Sequence, residues 1–265
     1  MLISRALLAN RPADFLLRLL NRHKYSRFVL QSLAGFRRPF ATMQEARQAA
    51  EKIGLGSHEE QSNIELHLKK GESARLSDYP VLFWLQECLL STRKVLDLGG
   101  NVGNLFYCYE KYLQFPNDLT WTVFDLSRTL DAGRNLANQR RATKLRFVDQ
   151  IDNLEEYDLL LVSGSMHYLE PSLLELLKRS SRRPRWVIIN RVPLSERDTY
   201  FAVQKDFHIA VACRVEKLNS VKSGMHDLGY DLKDFWQITD RDLKLPFFPD
   251  YCVNSYSGLF FVIRH

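Results

Sequence analysis

The sequence predicts an α/β fold: a doubly wound, mostly parallel sheet of seven strands with helices on both faces. Short apolar or β-branched runs alternate with helical stretches from residue 94 onward, which is the pattern of a parallel sheet. A glycine-rich turn follows the first of these runs. The last two runs follow a helix and close the chain, which indicates an antiparallel hairpin at the sheet edge.

Seven runs are predicted as strands, at residues 95–98, 119–124, 145–148, 157–162, 186–189, 232–238 and 259–263. Helices are predicted at residues 104–113, 128–139, 171–180 and 220–228. The stretch between 192 and 219 is mixed and is left unassigned. Ligands of such sheets bind beyond the carboxyl ends of the strands, so we expect the loops at that end to form the site.

The composition is that of an ordinary globular protein with one large α/β domain and an appendage. The chain has 265 residues, of which 45% are hydrophobic. No run approaches the ~18 apolar residues of a membrane span. The four cysteines are scattered without a CxxC pair, which argues against a zinc site or a disulfide framework and fits a reducing, cytoplasmic location.

The positive charge is concentrated at the N-terminus. Residues 1–40 contain eight Lys or Arg and a single acid, Asp14, whereas the whole chain has a net charge of +6. The rest of the chain is therefore close to neutral. This distribution gives no reason to expect a nucleic-acid-binding face on the main domain.

Residues 1–90 are predicted to form a helical, basic extension, and residues 91–265 the main domain. Apolar residues recur at helical spacing in the first 33 residues, with Arg11-Pro12 between two short helices. Arginines interrupt every apolar stretch that could serve as the core of a signal peptide, which argues against a secretory signal. The Arg-rich composition nevertheless resembles that of a transit peptide. Three interpretations remain: a helical cap on the main domain, an amphipathic helix on an anionic membrane surface, and a contact with a partner or second copy.

The second part of the extension carries clearer signals. Thr42 followed by Glu45 is a capping-box pattern, and the helix it starts should run to about Ile53. Further helices are predicted at 57–70 and 81–90. The polar connection between them contains Arg75 and Asp78, and it could fold over the pocket as a lid.

The central motif is the glycine loop at residues 97–103, DLGGNVG. Glycine lets the backbone turn sharply and approach a ligand closely, and the following helix directs its free N–H groups toward the loop. Asp125 ends the second strand, 22 residues beyond Gly103. An acid there can accept from both hydroxyls of a ribose. The alternative is that Asp125 or Ser127 caps the next helix.

This loop resembles the acidic-plus-glycine loop of class I S-adenosylmethionine-dependent methyltransferases, and Asp125, Asp149, the loop after the fourth strand and the closing strands agree with that fold. More narrowly, the chain resembles a small group of bacterial proteins assigned as methyltransferases and often encoded with polysaccharide-synthesis functions. The shared segments are MQEA, SARLSDYPVLFWL, VLDLGGNVG, LLLVSGSMHYL, VIINRVPL and LGYDLKDFW, within residues 40–265.

The resemblance implies S-adenosylmethionine as cofactor and methyl transfer to an oxygen of a small molecule or glycan, without a metal. It implies that Gly99 and Gly103 line the methionine part, that Asp125 binds the ribose, and that Asp97 orients the amino group directly or through water. The candidate cofactor contacts are Asp97, Gly99, Gly100, Asn101, Gly103, Asp125, Leu126, Asp149, Gln150, Ser163 and Gly164. Asp149 and Gln150 are assigned to the adenine.

Asn101 is the departure from the family pattern, because a third glycine usually stands there. Asn tolerates a left-handed backbone better than other side chains, so the turn can survive. Asn101 nevertheless motivates one alternative, a binding or regulatory protein that has the fold without catalysis. A third hypothesis, an NAD-dependent sugar enzyme, is weakened by the absence of a G-x-G-x-x-G fingerprint.

Three residues are candidates for the chemistry. An alcohol is a poor nucleophile, so a hydroxyl acceptor would need a general base. His167 lies in the loop after the fourth strand and is the first candidate, because histidine titrates near neutral pH. Tyr168 and Arg191 are candidate substrate contacts. For each of the three, the alternative is a role in packing or loop structure.

Overall fold

The computed structural model describes residues 35–36, 38–56, 73–151, 154–205, 209–245 and 248–264. The predicted basic helices of residues 1–34 and the predicted helix at 57–70 lie outside these ranges. Strands in the described part are β1 (Gly35–Phe36), β2 (Lys94–Leu98), β3 (Thr120–Phe124), β4 (Leu145–Val148), β5 (Leu159–Ser163), β6 (Trp186–Val192), β7 (Leu194–Ser195), β8 (Tyr200–Lys205), β9 (Ala210–Lys217), β10 (Tyr230–Ile238) and β11 (Tyr256–Ile263). Helices there are α1 (Met43–Glu51), α2 (Tyr79–Cys88), α3 (Asn104–Tyr109), α4 (Ser127–Arg140), α5 (Leu173–Arg179) and α6 (Leu218–Asp227).

The main sheet has seven strands in the order β10-β11-β6-β5-β2-β3-β4. The five strands from β6 to β4 in that order pair in parallel. β11 pairs antiparallel with both β6 and β10. The predicted fold class is therefore confirmed, including the antiparallel hairpin at one edge.

Helices cover both faces of this sheet because its central strands are apolar on both sides. Val95 and Leu159 pack with α2, α3 and α4 in one buried cluster. Their neighbours Leu96 and Leu160 point the other way and pack with α5 and α6. The alternation along each strand thus divides the core into two layers.

A second, smaller sheet has the order β1-β8-β9-β7. Its hairpin, β8 with β9, occupies most of the stretch that the sequence left unassigned. Ala46 and Ala50 of α1 pack on Val203 and Ala210 of this hairpin. The predicted helix start at Thr42 is confirmed, because Thr42 Oγ1 accepts from the Glu45 amide at 3.2 Å. The reciprocal half of the capping box was wrong, because Glu45 Oε2 accepts from the Ala41 amide instead of the Thr42 amide.

Several predicted boundaries were wrong. α3 ends at Tyr109, four residues early, and α5 begins at Leu173, where Ser172 and Glu175 form a capping box. β6 runs on to Val192, so Asn190 and Arg191 lie within a strand and not in the loop after it. β11 pairs along β6 as far as Val192, and these added hydrogen bonds extend the strand beyond its apolar run.

The predicted cap of α4 was also wrong. Leu126, in extended conformation, occupies the N-cap position, and no side chain caps the helix there. Asp125 uses its carboxylate elsewhere: Oδ1 accepts from the Leu126 amide and Oδ2 from the Asn101 amide, both at 2.8 Å. The carboxylate therefore joins the end of β3 to the glycine loop.

Candidate functional site

The glycine loop between β2 and α3 alternates left-handed residues. Gly99, Asn101 and Gly103 have φ values of 70°, 58° and 87°. Asn101 thus adopts the conformation that a glycine would provide. Its side-chain Oδ1 also accepts from the Val102 amide at 2.9 Å. Asparagine is one of the few side chains that tolerate this region, so the loop keeps its turn.

Close contacts explain why Gly99 and Gly100 lack side chains. A Cβ on Gly99 would lie 2.3 Å from Ser165 Cβ, and one on Gly100 would lie 2.5 Å from Asp97 Cγ. The hydroxyl of Ser165 in turn donates to the Leu98 carbonyl. Ser165 therefore ties the loop after β5 to the glycine loop. This role of Ser165 could not be predicted from the sequence, because the position of a serine in this loop carries no signal.

Asp97 is buried directly beneath this loop, with 1% of its surface exposed. Its Oδ2 accepts from Trp121 Nε1 at 3.2 Å, whereas Oδ1 is buried and has no hydrogen-bond partner. Burial raises the pKa of Asp97 to about 7; the Trp121 hydrogen bond opposes this shift and the charge of Asp125 adds to it. A buried acceptor without a donor is costly, so this oxygen marks a position that suits a cationic or N–H-bearing ligand group.

The remaining acidic positions follow along the sheet edge. Asp125 is half-buried at the end of β3, and its two carboxylate oxygens accept the two backbone amides. Asp149 and Gln150 are exposed after β4, and Leu126 is 45% exposed beside Asp125. The structure thus brings the predicted cofactor residues of β2, β3 and β4 to one edge in strand order.

A second polar group lies at the ends of β5 and β6. Ser163 Oγ accepts from Asn190 Nδ2 at 3.1 Å and from Arg191 Nη2 at 2.9 Å. Asn190 Oδ1 accepts from Trp236 Nε1 at 3.2 Å. Gly164 has a φ of 81° and its amide donates to the Asn190 carbonyl. The network links the carboxyl ends of β5 and β6 to Trp236 of β10, across the intervening β11.

Arg191 forms a buried ion pair with Asp78. Its Nη1 lies 3.0 Å from Asp78 Oδ1, and the side chains are 7% and 3% exposed. Asp78 also accepts from the Tyr109 hydroxyl at 3.0 Å and from the Arg75 amide at 2.9 Å. The polar connection before α2 is therefore anchored over the end of β6. Arg191 itself has a φ of 56°.

His167 and Tyr168 lie on a short 3-10 turn at Met166–Tyr168. His167 is buried, with its ring centroid 4.0 Å from that of Tyr168 and 6.3 Å from that of Tyr256. The Tyr168 hydroxyl is hydrogen-bonded to Gln204 of β8. Burial raises the pKa of Tyr168 well above its ordinary value, so the phenol stays protonated at neutral pH.

One cavity lies next to this turn, between α1 and β9. It has a volume of about 350 Å³, and Met43, Tyr168 and Ala210 contribute to its walls. Within the described ranges, every helix is too short or too polar to span a bilayer. The same ranges hold no group of three or more His, Cys, Asp or Glu placed to bind a metal ion.

Comparisons with known proteins give distant similarities. No protein-family model and no curated protein matches the chain. Among solved structures, the Burkholderia thailandensis 1,6-didemethyltoxoflavin-N1-methyltransferase, with bound 1,6-didemethyltoxoflavin and S-adenosylhomocysteine, is 18% identical over 72% of this chain and 79% of that chain, with a TM-score of 0.49. A SAM-dependent methyltransferase from Aquifex aeolicus is 16% identical over 77% and 99%, with a TM-score of 0.49. The fold assignment rests on the strand order of this chain and not on these similarities.

Proposed function

We propose that this protein is an S-adenosylmethionine-dependent methyltransferase acting on an oxygen of a small molecule or glycan. The observation that carries the proposal is the buried Asp97 carboxylate, which has an unpartnered oxygen beneath a left-handed glycine loop. Asp125 stands at the end of the adjacent strand, where the cofactor of such a sheet would present its ribose.

The residues on the β2–β4 side fit this cofactor. Its amino group is a cation that would give Asp97 Oδ1 the donor it lacks. Its ribose hydroxyls are donors that suit the carboxylate of Asp125. Asp149 and Gln150 follow on the next strand and supply exposed polar groups for the adenine. Ser163 and Gly164 border the same loop from β5.

The bound cofactor would supply a methyl group already activated by its sulfonium. The chain's own residues then have to orient the acceptor and exclude water. We assign His167 as the base that takes the proton of a hydroxyl acceptor. The hydroxyl of Tyr168 is bonded to Gln204 and the guanidinium of Arg191 to Asp78, so both support the site by holding its walls.

Asn101 no longer favours the non-catalytic alternative, because it adopts the backbone conformation of the glycine it replaces. The two hypotheses still differ in one measurement. A methyltransferase transfers label from S-adenosylmethionine to at least one member of a broad panel of glycans and small molecules, whereas a regulatory protein binds the cofactor and labels none.

The deciding experiment is identification of the cofactor. Mass spectrometry of the small molecules that copurify with the chain should find S-adenosylmethionine or S-adenosylhomocysteine. Isothermal titration calorimetry with S-adenosylhomocysteine and with NAD distinguishes the proposed methyltransferase from the remaining hypothesis, an NAD-dependent sugar enzyme. Binding of NAD without S-adenosylhomocysteine would overturn the proposal.

Two further proposals come from the sequence: a cytoplasmic location, and contact of residues 1–40 with an anionic membrane surface. The excess of eight basic residues over one acid in that segment supports the contact. Cosedimentation of the full chain with phosphatidylserine vesicles at low salt tests it. Recovery of the protein in the supernatant alone would contradict the proposed membrane contact.

A further inference from the structure

The hydroxyl of Ser163 has one hydrogen to donate. Its oxygen already accepts from Asn190 Nδ2 and Arg191 Nη2, which fill both lone pairs of a serine hydroxyl. The residue is half-buried at the carboxyl end of β5, where ligands of this sheet bind. A ligand group facing Ser163 should therefore be a hydrogen-bond acceptor.

Arg75 supplies a charged donor on the same side. Its amide is held by Asp78 Oδ2, while its exposed guanidinium makes no hydrogen bond or ion pair in the described part of the chain. Asp78 cannot serve as its partner readily, because that carboxylate already accepts from Arg191 and Tyr109 as well as from the Arg75 amide. The guanidinium is thus available to a ligand.

Arg75 lies near two further guanidinium groups, those of Arg191 and Arg241, and near one carboxylate, Asp78, which is paired with Arg191. The pKa of the Arg75 guanidinium is lowered, first because the surrounding protein partly desolvates it although it remains accessible to solvent. The charges of Arg191 and Arg241 lower this pKa further, whereas the charge of Asp78 raises it. The Arg241 carbonyl accepts from the Tyr256 amide at 3.1 Å, and the Tyr256 ring lies 6.3 Å from that of His167. Arg241 is therefore connected through Tyr256 to the turn that carries the proposed base.

Strand order separates this region from the cofactor side. The predicted cofactor contacts Asp97, Asp125 and Asp149 follow β2, β3 and β4. Ser163, which was also predicted as a cofactor contact, ends β5, and Arg191 lies on β6, in the opposite direction along the sheet. The half of the edge at β5 and β6 is left for the methyl acceptor. A positive region there would attract an anion and would orient it by charged hydrogen bonds.

We propose that the methyl acceptor carries a carboxylate or phosphate group, which the Arg75 guanidinium and the Ser163 hydroxyl bind beside His167. This inference rests on the proposed methyl transfer. The same oxyanion chemistry could come from the carboxylate of the cofactor itself, so the test has to separate the two sources.

The test is isothermal titration calorimetry on the full chain with Arg75→Gln, Arg75→Lys and the control Arg182→Gln. The control removes an equally exposed arginine that precedes β6, at the opposite end of the strands. S-adenosylhomocysteine and 5′-methylthioadenosine, which lacks the amino and carboxyl groups, report on the cofactor side. Inorganic phosphate added to the protein saturated with S-adenosylhomocysteine reports on the acceptor side.

Arg75→Gln should weaken phosphate binding at least tenfold and leave the affinity for S-adenosylhomocysteine within twofold. Arg75→Lys should retain part of the phosphate binding, and Arg182→Gln all of it. Phosphate that fails to bind the native protein, or binds Arg75→Gln equally well, overturns the inference.

A tenfold loss of S-adenosylhomocysteine affinity in Arg75→Gln, with 5′-methylthioadenosine unchanged, assigns the oxyanion to the cofactor and also overturns it. If S-adenosylhomocysteine does not bind the native protein, the proposed function fails. Phosphate titrated into the protein without cofactor still shows in that case whether the Arg75 site exists.

Discussion

The Asn101 amide donates a 2.8 Å hydrogen bond to the Asp125 carboxylate. This bond joins the glycine loop after β2 to the end of β3, and it fixes the residue that departs from the family pattern. The carboxylate predicted to bind a ribose is therefore also part of the structure of the loop. Substitutions at the two positions should have separable effects on folding and on binding.

Asn101→Gly should change the free energy of unfolding by less than about 0.5 kcal/mol, because glycine adopts a φ of 58° without strain. Asn101→Val should lower it by about 1–3 kcal/mol, since a β-branched residue is strained in this region. Urea denaturation measures both. Asn138→Ala, on the exposed face of α4, is the control and should be close to neutral. Equal stabilities for the Gly and Val variants would show that the left-handed turn does not matter.

Asp125→Ala should weaken binding of S-adenosylhomocysteine by about 100-fold, because hydrogen bonds to a charged group contribute about 1.5–3 kcal/mol each. Calorimetric titration gives the affinity. Asp131→Ala removes an exposed acid of the following helix and should leave binding unchanged. If Asp125→Ala binds S-adenosylhomocysteine as tightly as the native protein does, Asp125 does not belong to the cofactor site.

Asp97 should make both stability and cofactor binding depend on pH. Its pKa is raised to about 7 in the folded state from an ordinary value of 3.8, so the folded protein holds a proton that the unfolded chain releases. Stability contributed by the protonated form is present at pH 4 and is lost as the pH rises to about 7, at about 1.4 kcal/mol per pH unit. Above pH 7 this contribution is constant.

Binding of a cationic amino group needs the ionised carboxylate. The affinity for S-adenosylhomocysteine should therefore rise between pH 6 and 8, and binding at pH 6.5 should release a proton. Calorimetry in two buffers of different ionisation enthalpy measures that proton. Asp97→Asn keeps an oxygen for the Trp121 hydrogen bond and should abolish the release. Proton release that persists in this variant would assign it to another group.

The buried ion pair of Asp78 with Arg191 should be costly to break from one side. Asp78→Ala leaves a buried guanidinium without its partner, and we expect a loss of about 3–5 kcal/mol of unfolding free energy. Asp78→Ala combined with Arg191→Met should lose less than the sum of the two single variants. The exposed pair of Arg93 with Asp118 is the control, and Asp118→Ala should cost less than about 1 kcal/mol. Strict additivity at the buried pair would show that the two charges do not interact.

His167→Ala should bind S-adenosylhomocysteine within twofold of the native protein, because His167 lies on the turn after β5 and packs against the rings of Tyr168 and Tyr256. The same variant should lose methyl transfer to whichever panel acceptor the native enzyme labels. Methyl transfer that persists in His167→Ala would show that His167 is not the base. A melting temperature close to the native value is the control for folding.

Much of the main sheet could be predicted from the sequence, because its signals are local. Apolar runs such as 159–162 can only be satisfied by burial on both faces, and Thr42 with Glu45 marks a helix start within four residues. The second sheet could not be predicted, since its apolar runs YFAV and AVAC are short and are stabilised by packing against the distant helix α1. Arg191 was placed in a loop because its charge ends the apolar run, whereas β6 continues to Val192, which pairs with Ser257 of β11.

The sequence by itself determined the strands of the main sheet, the order of acids and glycines along the sheet edge, and the residue types from which a cofactor site is built. The tertiary structure alone decided which of these groups are already occupied. Asp125 holds the loop, Arg191 is neutralised by Asp78 from more than 100 positions away, and Asp97 Oδ1 is left without a donor. Such pairings depend on distances through space, and the spacing of residues along the chain does not encode them.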